Sequence, residues 1–311
     1  MSSRPLLRRP YAVILALMAL LVGLFSAVPA QASVTNNKNA TTWTVLVGQQ
    51  SSEKAIQGMR FGASDIWIDQ GDAIKFVANS AEIHTVSYGT PPLPPTDVNN
   101  LLADAVPAVG GPVFDPTASW TNSGILNTTG SPDFPTKTSY VLKFAARGDF
   151  MFYCLIHGMM MSIMIHVQPP NATYPHTQTW YDEQAAKQNA AIIADGYALW
   201  KSTAAKASDT HVYVGAMDDE AMVMRFIPST STVAKGTTVM WDMSANPGVV
   251  PHTVTFTNLV QNGSLVDSGV LLPAFVGGPS TFSVPFDQAG TWNYFCAFHD
   301  DLGMLGSVTV Q

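Results

Sequence analysis

The chain has only two cysteines, and each opens the same pattern. Cys154 is followed by His157 and then by Met159, Met160 and Met161, while Cys296 is followed by His299 and Met304. Upstream of each lies a second histidine in a matching setting, Ile83-His84-Thr85-Val86 and Pro251-His252-Thr253-Val254. Longer runs repeat as well. Val45-Leu46-Val47-Gly48 matches Val212-Tyr213-Val214-Gly215, Met59-Arg60-Phe61 matches Met224-Arg225-Phe226, and Gly148 to Cys154 matches Gly290 to Cys296. Self-similarity over most of a chain is the mark of a tandem duplication, so the fold must accommodate two equivalent units. His84 to Cys154 is 70 residues and His252 to Cys296 is 44, which places an insertion in the first unit at about 89–137.

Alternating apolar and polar positions in Ala73 to Val77, Tyr140 to Phe144 and Thr238 to Met243 predict half-buried strands, and turn residues separate them. The fold class expected is therefore all-β. One stretch differs. Ala186, Ala190, Ile193, Tyr197 and Trp200 recur at helical spacing behind a candidate cap at Thr179, which predicts an amphipathic helix over 180–204. The boundaries that follow are 42–168 for the first unit, 169–209 for a linker holding the helix, and 210–311 for the second unit. Residues 1–32 carry Arg4, Arg8 and Arg9, an uncharged run from Tyr11 to Val28 and a small-residue Ala30-Gln31-Ala32, the features of an export signal. The expected location is periplasmic, extracellular or at the cell surface, with membrane contact only if that segment is not cleaved.

A thiolate, imidazoles and a thioether form a soft donor set, and copper is the metal such a set selects. The candidate ligands are His84, Cys154, His157 and one of Met159, Met160 and Met161 in the first unit, and His252, Cys296, His299 and Met304 in the second. A disulfide between the cysteines would leave the matched histidines and methionines unexplained. The chain carries a net charge of −7, which becomes more negative without the three N-terminal arginines, so nucleic acid is not an expected partner.

With these residues in place, the chain resembles the cupredoxins, the small blue copper proteins that include plastocyanin, pseudoazurin and amicyanin. The second unit fits the C-x2-H-x4-M pattern of the plastocyanin and pseudoazurin type. The first fits the shorter amicyanin-type C-x2-H-x2-M, which selects Met160. The resemblance implies two tandem Greek-key β-sandwiches, two type 1 coppers, and electron exchange with redox partner proteins. One departure is that threonine, Thr85 and Thr253, follows the first histidine where the family often has asparagine. A two-domain copper oxidase or nitrite reductase is the alternative, and a copper storage or delivery protein a second. The enzymes hold an interface copper with further histidines, commonly in H-x-H pairs. This chain has seven histidines and no such pair; His166, His176 and His211 remain after the ligands.

Overall fold

The computed structural model describes residues 39–94, 98–131, 134–248, 250–274 and 277–311. The export signal expected at residues 1–32 lies outside them. The described chain is mostly β, as the alternating runs imply. Among the described residues no helix is long and apolar enough to cross a membrane.

The duplication reappears as duplicated pairing. In the first half the strand Thr42–Gln50 runs parallel to Ala73–Ala78, which pairs antiparallel with Ser139–Phe144. In the second half His211–Met217 runs parallel to Thr237–Asp242, which pairs antiparallel with Thr281–Phe286. A second sheet faces each set. Gly148–Cys154 pairs with Gly158–Gln168 in one, and Gly290–Phe295 with Leu305–Val310 in the other. Inward-facing residues of the paired sheets form the cores. Phe61, Phe76, Phe144 and Phe152 are fully buried in the first, and Trp241, Phe256, Phe286 and Tyr294 in the second.

The halves are joined through the sheet itself. Ile56–Phe61 of the first half pairs antiparallel with Ala221–Ile227 of the second, so that one nine-stranded sheet runs from Thr281–Phe286 to Val113–Phe114. Arg60 donates to Glu220 across this seam. The first core also takes in Met217, Met222, Met224, Val250 and Leu302 from the second half. Continuous backbone pairing and shared apolar burial fix the two halves relative to each other far more firmly than a linker would.

The helix forms, with its buried face one residue away from the expected stripe. It spans Gln178–Ala204 and is capped by Thr177, whose hydroxyl accepts from the Trp180 N–H. Tyr181, Ala185, Ile192, Gly196 and Thr203 are buried, whereas Ala186, Ala190 and Tyr197 face solvent. Close approach decides the face. A side chain at Gly196 would collide with Ile56, so the helix lies against the seam strand through its smallest residue. Tyr197, expected inside, instead donates its hydroxyl to Glu53 at 2.6 Å.

The insertion is ordered where it is described. It contains the helix Val98–Ala105 and short strands including Trp120–Ser123 and Ile125–Leu126. Phe114 from this segment packs edge-on or tilted against Tyr88, Phe144, Phe150 and Phe152, which makes the insertion part of the first core.

Candidate metal centres

His84 and His252 reach their positions by the same device. Each sits on an isolated antiparallel bridge, with its N–H and C=O both paired to one leucine: Leu126 at 3.0 and 2.8 Å for His84, Leu271 at 3.1 and 2.8 Å for His252. Leu126 belongs to the insertion, so that segment helps to clamp the first site. Behind each imidazole the neighbouring strand bulges at a glycine in the left-handed region, Gly48 and Gly215, both with φ of +72°. The repeated Val-x-Val-Gly is thus a packing requirement of the histidine.

Three donors converge in each half. In the first, Cys154 Sγ lies 3.4 Å from His157 Nδ1 and 3.9 Å from His84 Nδ1, and the two Nδ1 atoms are 3.1 Å apart. In the second, Cys296 Sγ lies 3.3 Å from His299 Nδ1 and 3.6 Å from His252 Nδ1, again with 3.1 Å between nitrogens. A point equidistant from the three atoms of either triangle is about 2 Å from each, the length of a bond from a first-row metal to imidazole nitrogen. All six residues are buried. Among the described residues, no other cluster of histidine, cysteine and carboxylate has this form.

The threonines that depart from the common asparagine supply two hydrogen bonds each. Thr85 N–H donates to Cys154 Sγ at 3.3 Å, and Thr253 N–H donates to Cys296 Sγ at 3.4 Å. Their hydroxyls accept from the N–H of Leu155 at 2.8 Å and of Ala297 at 2.7 Å. The cysteine loop is therefore tied to the histidine strand on both sides of the sulfur. Burial pushes each thiol up, but the histidines around it outweigh burial and hold Cys154 and Cys296 well below the ordinary thiol range. Burial lowers His157 and His299, yet the adjacent thiolates raise them further, to about 10 and about 9. A metal entering either triangle displaces a proton from nitrogen and finds its thiolate ready.

The far edge of each first histidine is also held. His84 Nε2 is 2.9 Å from Ser80 Oγ, and His252 Nε2 is 2.9 Å from the side-chain amide of Asn246. With Nδ1 facing the triangle, Nε2 carries the proton and must donate. Asn246 Oδ1 is otherwise a buried acceptor without a partner, so the amide is oriented with its oxygen toward His252.

Met304 is fully buried, and its carbonyl accepts from Cys296 N–H at 3.1 Å. The methionine expected in the first unit is placed differently: Met160 is 46% exposed and Met159 56%, whereas Met161 is fully buried. Strand register explains the difference. Phe295 pairs with Leu305, and Cys296 N–H donates to the Met304 carbonyl just beyond; Tyr153 pairs with Ser162, but Cys154 then pairs with Gly158, so Met159, Met160 and Met161 fall between the two pairs. The register shift lies between Tyr153 and Cys154, and of the three methionines it spans only Met161 is buried. Counting residues after the histidine points to Met160, whereas the buried methionine is Met161.

The remaining histidines are occupied elsewhere. His166 contacts Asp149 at 2.7 Å and stacks on Trp67, His211 contacts Asp242 at 3.0 Å, and His176 stacks on Trp180. The group that residue spacing did not reveal is Glu82, two residues before His84. Its carboxylate is buried, with Oε1 3.7 Å from His157 Nε2 and Oε2 3.8 Å from His299 Nε2. Burial pushes this carboxyl up, but the histidines, His157 first, bring it down to about 2. At these separations the attraction is one of charge, and His157 Nε2 has no hydrogen-bond partner. The one available signal was a mismatch between the repeats, since Val250 stands at the equivalent place before His252.

Residues 211–311 match the family of copper binding proteins described as the plastocyanin/azurin family. The chloroplastic plastocyanin of Tetradesmus obliquus is 30% identical over 146 residues, 47% of this chain and 94% of that protein. The plastocyanin of Scenedesmus fuscus is 36% identical over 105 residues, 33% of this chain and 100% of its own length. A solved mutant of amicyanin in its Cu(I) form is 25% identical and covers 35% of this chain and 89% of its own, with a TM-score of 0.25. Identity that runs the length of two plastocyanins, on a chain whose thiolate and imidazoles already surround a gap of metal size, places the protein by descent as well as by chemistry: it belongs to the plastocyanin/azurin family of copper-binding proteins.

Proposed function

We propose that the chain is an exported electron carrier with two type 1 copper sites, built from two tandem cupredoxin-like units at 42–168 and 210–311. His84, Cys154 and His157 hold the first metal with Met161 as the axial thioether. His252, Cys296 and His299 hold the second with Met304. Redox partner proteins supply and accept the electrons. The observation that carries this reading is the second triangle, which repeats the first in donor type, burial and edge length. Bound there, copper supplies a one-electron couple; the protein supplies a fixed N2S plane that suits both oxidation states, so little moves when charge changes. Complete burial of Cys154 and Cys296 keeps water from the sulfurs. The separate engagement of His166, His176 and His211 favours a carrier over an enzyme with an interface copper.

Metal analysis with optical and EPR spectra tests the reading. Two coppers per chain, an intense visible thiolate-to-copper band and type 1 signals alone are expected, and Cys154→Ser and Cys296→Ser are each expected to remove about half of the metal and colour. Loss of all colour in one single variant would count against two independent sites. A stoichiometric type 2 signal would favour the oxidase or nitrite reductase.

The axial assignment has its own test. Met161→Leu, a nearly volume-conserving change, is expected to shift the potential and visible spectrum of the first site at a stability cost below about 1.5 kcal/mol. Met160→Leu is expected to alter neither. The reverse outcome would restore Met160.

A further inference from the structure

His157 and His299 turn their outer edges away from solvent and toward one group. Their side chains are 0% and 7% exposed, and the nearest charge to both Nε2 atoms is the Glu82 carboxylate, with one oxygen toward each. Duplication alone does not produce this arrangement, because the second half has Val250 at the matching position, and both residues line one cleft between the halves. A single acidic side chain from the first unit therefore serves a histidine of each unit. The surroundings fix its reach. Lys54 Nζ of the first half donates to Asp301 O at 3.3 Å, and Arg225 donates to Leu302 O at 2.7 Å and to Glu53 O at 2.7 Å, so the His299 loop is held against the first half.

We propose that Glu82 joins the two copper sites into one redox unit: its carboxylate, held between His157 and His299, biases the potential of both sites and lies on the path by which an electron passes from one to the other. The inference rests on the reading of two copper sites given above. In the exchange one electron moves, one site is oxidised as the other is reduced, and no bond is made or broken. A negative charge close to both sites in a low-dielectric interior favours the more positive oxidation state at each. A chain of two imidazoles and one carboxylate also replaces what would otherwise be an apolar gap, as the valine of the second repeat would leave it.

Two substitutions separate charge from contact. Glu82→Gln removes the charge and keeps the shape; Glu82→Val installs the residue of the other repeat. Copper content and colour are measured first, and two coppers per chain are expected in all three proteins. Fewer than two in the unaltered chain would overturn both the inference and the reading beneath it. Redox titration is then expected to show both potentials rising in both variants. A rise confined to the first site would overturn the shared role. In the metal-free protein, the side-chain 15N resonances of both His157 and His299 are expected to move in Glu82→Gln, and movement of His157 alone would have the same overturning force. Finally, the oxidised protein is reduced by a flash with less than one equivalent of a photogenerated one-electron reductant. The unaltered chain and Glu82→Gln are expected to show a relaxation independent of protein concentration, which Glu82→Val loses from the same time window. If the unaltered chain lacks that phase, or Glu82→Val keeps it at the same rate with two coppers bound, the bridge is refuted while the two-site reading stands.

Discussion

Asp72→Ala is expected to destabilise the protein by about 3–5 kcal/mol, the cost of stranding several buried donors at once. The carboxylate is fully buried and accepts four hydrogen bonds: from Thr41 N–H at 2.8 Å, Trp43 Nε1–H at 3.0 Å, Asp69 N–H at 3.0 Å and the Tyr174 hydroxyl at 2.8 Å. These donors come from the residues that open the first strand, the end of the strand Asp65–Asp69 and the segment that leads into the helix Gln178–Ala204. One side chain therefore ties the start of the first half to the approach of the helix that covers its seam. Trp43 also packs edge-on against Tyr174 and Tyr181, so its displacement would loosen the helix as well. Burial and the neighbouring carboxylate, in that order, push the Tyr174 hydroxyl up to about 12, which keeps it a donor throughout the neutral range. Asp72→Asn, which keeps the shape but points an N–H group at donors, is expected to cost less, about 1–3 kcal/mol. Denaturant titration reads both: the midpoint should fall with the slope unchanged. A shift below about 1 kcal/mol for the alanine variant would mean that water replaces the carboxylate at little cost.

The donor triangles were legible because a metal site constrains residue type at fixed offsets, and the duplication printed those offsets twice. His84, Cys154 and His157, and their counterparts, fall where the repeats put them. The features that escaped depend on register or on asymmetry. Met161 rather than Met160 is the buried methionine of the loop, because the register shifts between the Tyr153–Ser162 and Cys154–Gly158 pairs and leaves Met159 and Met160 exposed. Nothing in the spacing records such a shift. The helix face was displaced because apolar periodicity weighs large side chains, while the contact with Ile56 is made through Gly196. The seam between Ile56–Phe61 and Ala221–Ile227 joins two strands that each read as an ordinary member of its own unit. Asp72 and Glu82 share a reason for being missed: each is a buried acid in the first unit alone, opposite Thr237 and Val250 in the repeat. Resemblance between the units carries no trace of the positions where one unit has acquired something of its own.

Gly48→Ala is expected to disable the first metal site while Gly215→Ala spares the second, although the two glycines occupy equivalent bulges with the same φ of +72°. An alanine in the left-handed region costs about 1–2 kcal/mol whatever surrounds it, so both variants should lose stability to a similar degree. What differs is the space. A methyl group at Gly48 would collide with His84 Nε2 and Ser80 Oγ, the pair whose hydrogen bond fixes the outer edge of that imidazole. A methyl group at Gly215 would meet Val223 O at 3.1 Å and His252 Nε2 at 3.2 Å, which a shift of a few tenths of an ångström relieves. Both histidines are clamped alike, His84 to Leu126 and His252 to Leu271, so the displacement required separates the sites, and at His84 it is far larger than a few tenths of an ångström. Moving the ring by that amount displaces Nδ1 from the position at which the three donors fit one metal ion. Copper content near one per chain for Gly48→Ala and near two for Gly215→Ala is the expected result, with similar shifts in denaturation midpoint. Full copper in Gly48→Ala would show that the bulge can relax without its histidine, and equal losses in both variants would show that backbone strain, rather than contact with the imidazole, governs the sites.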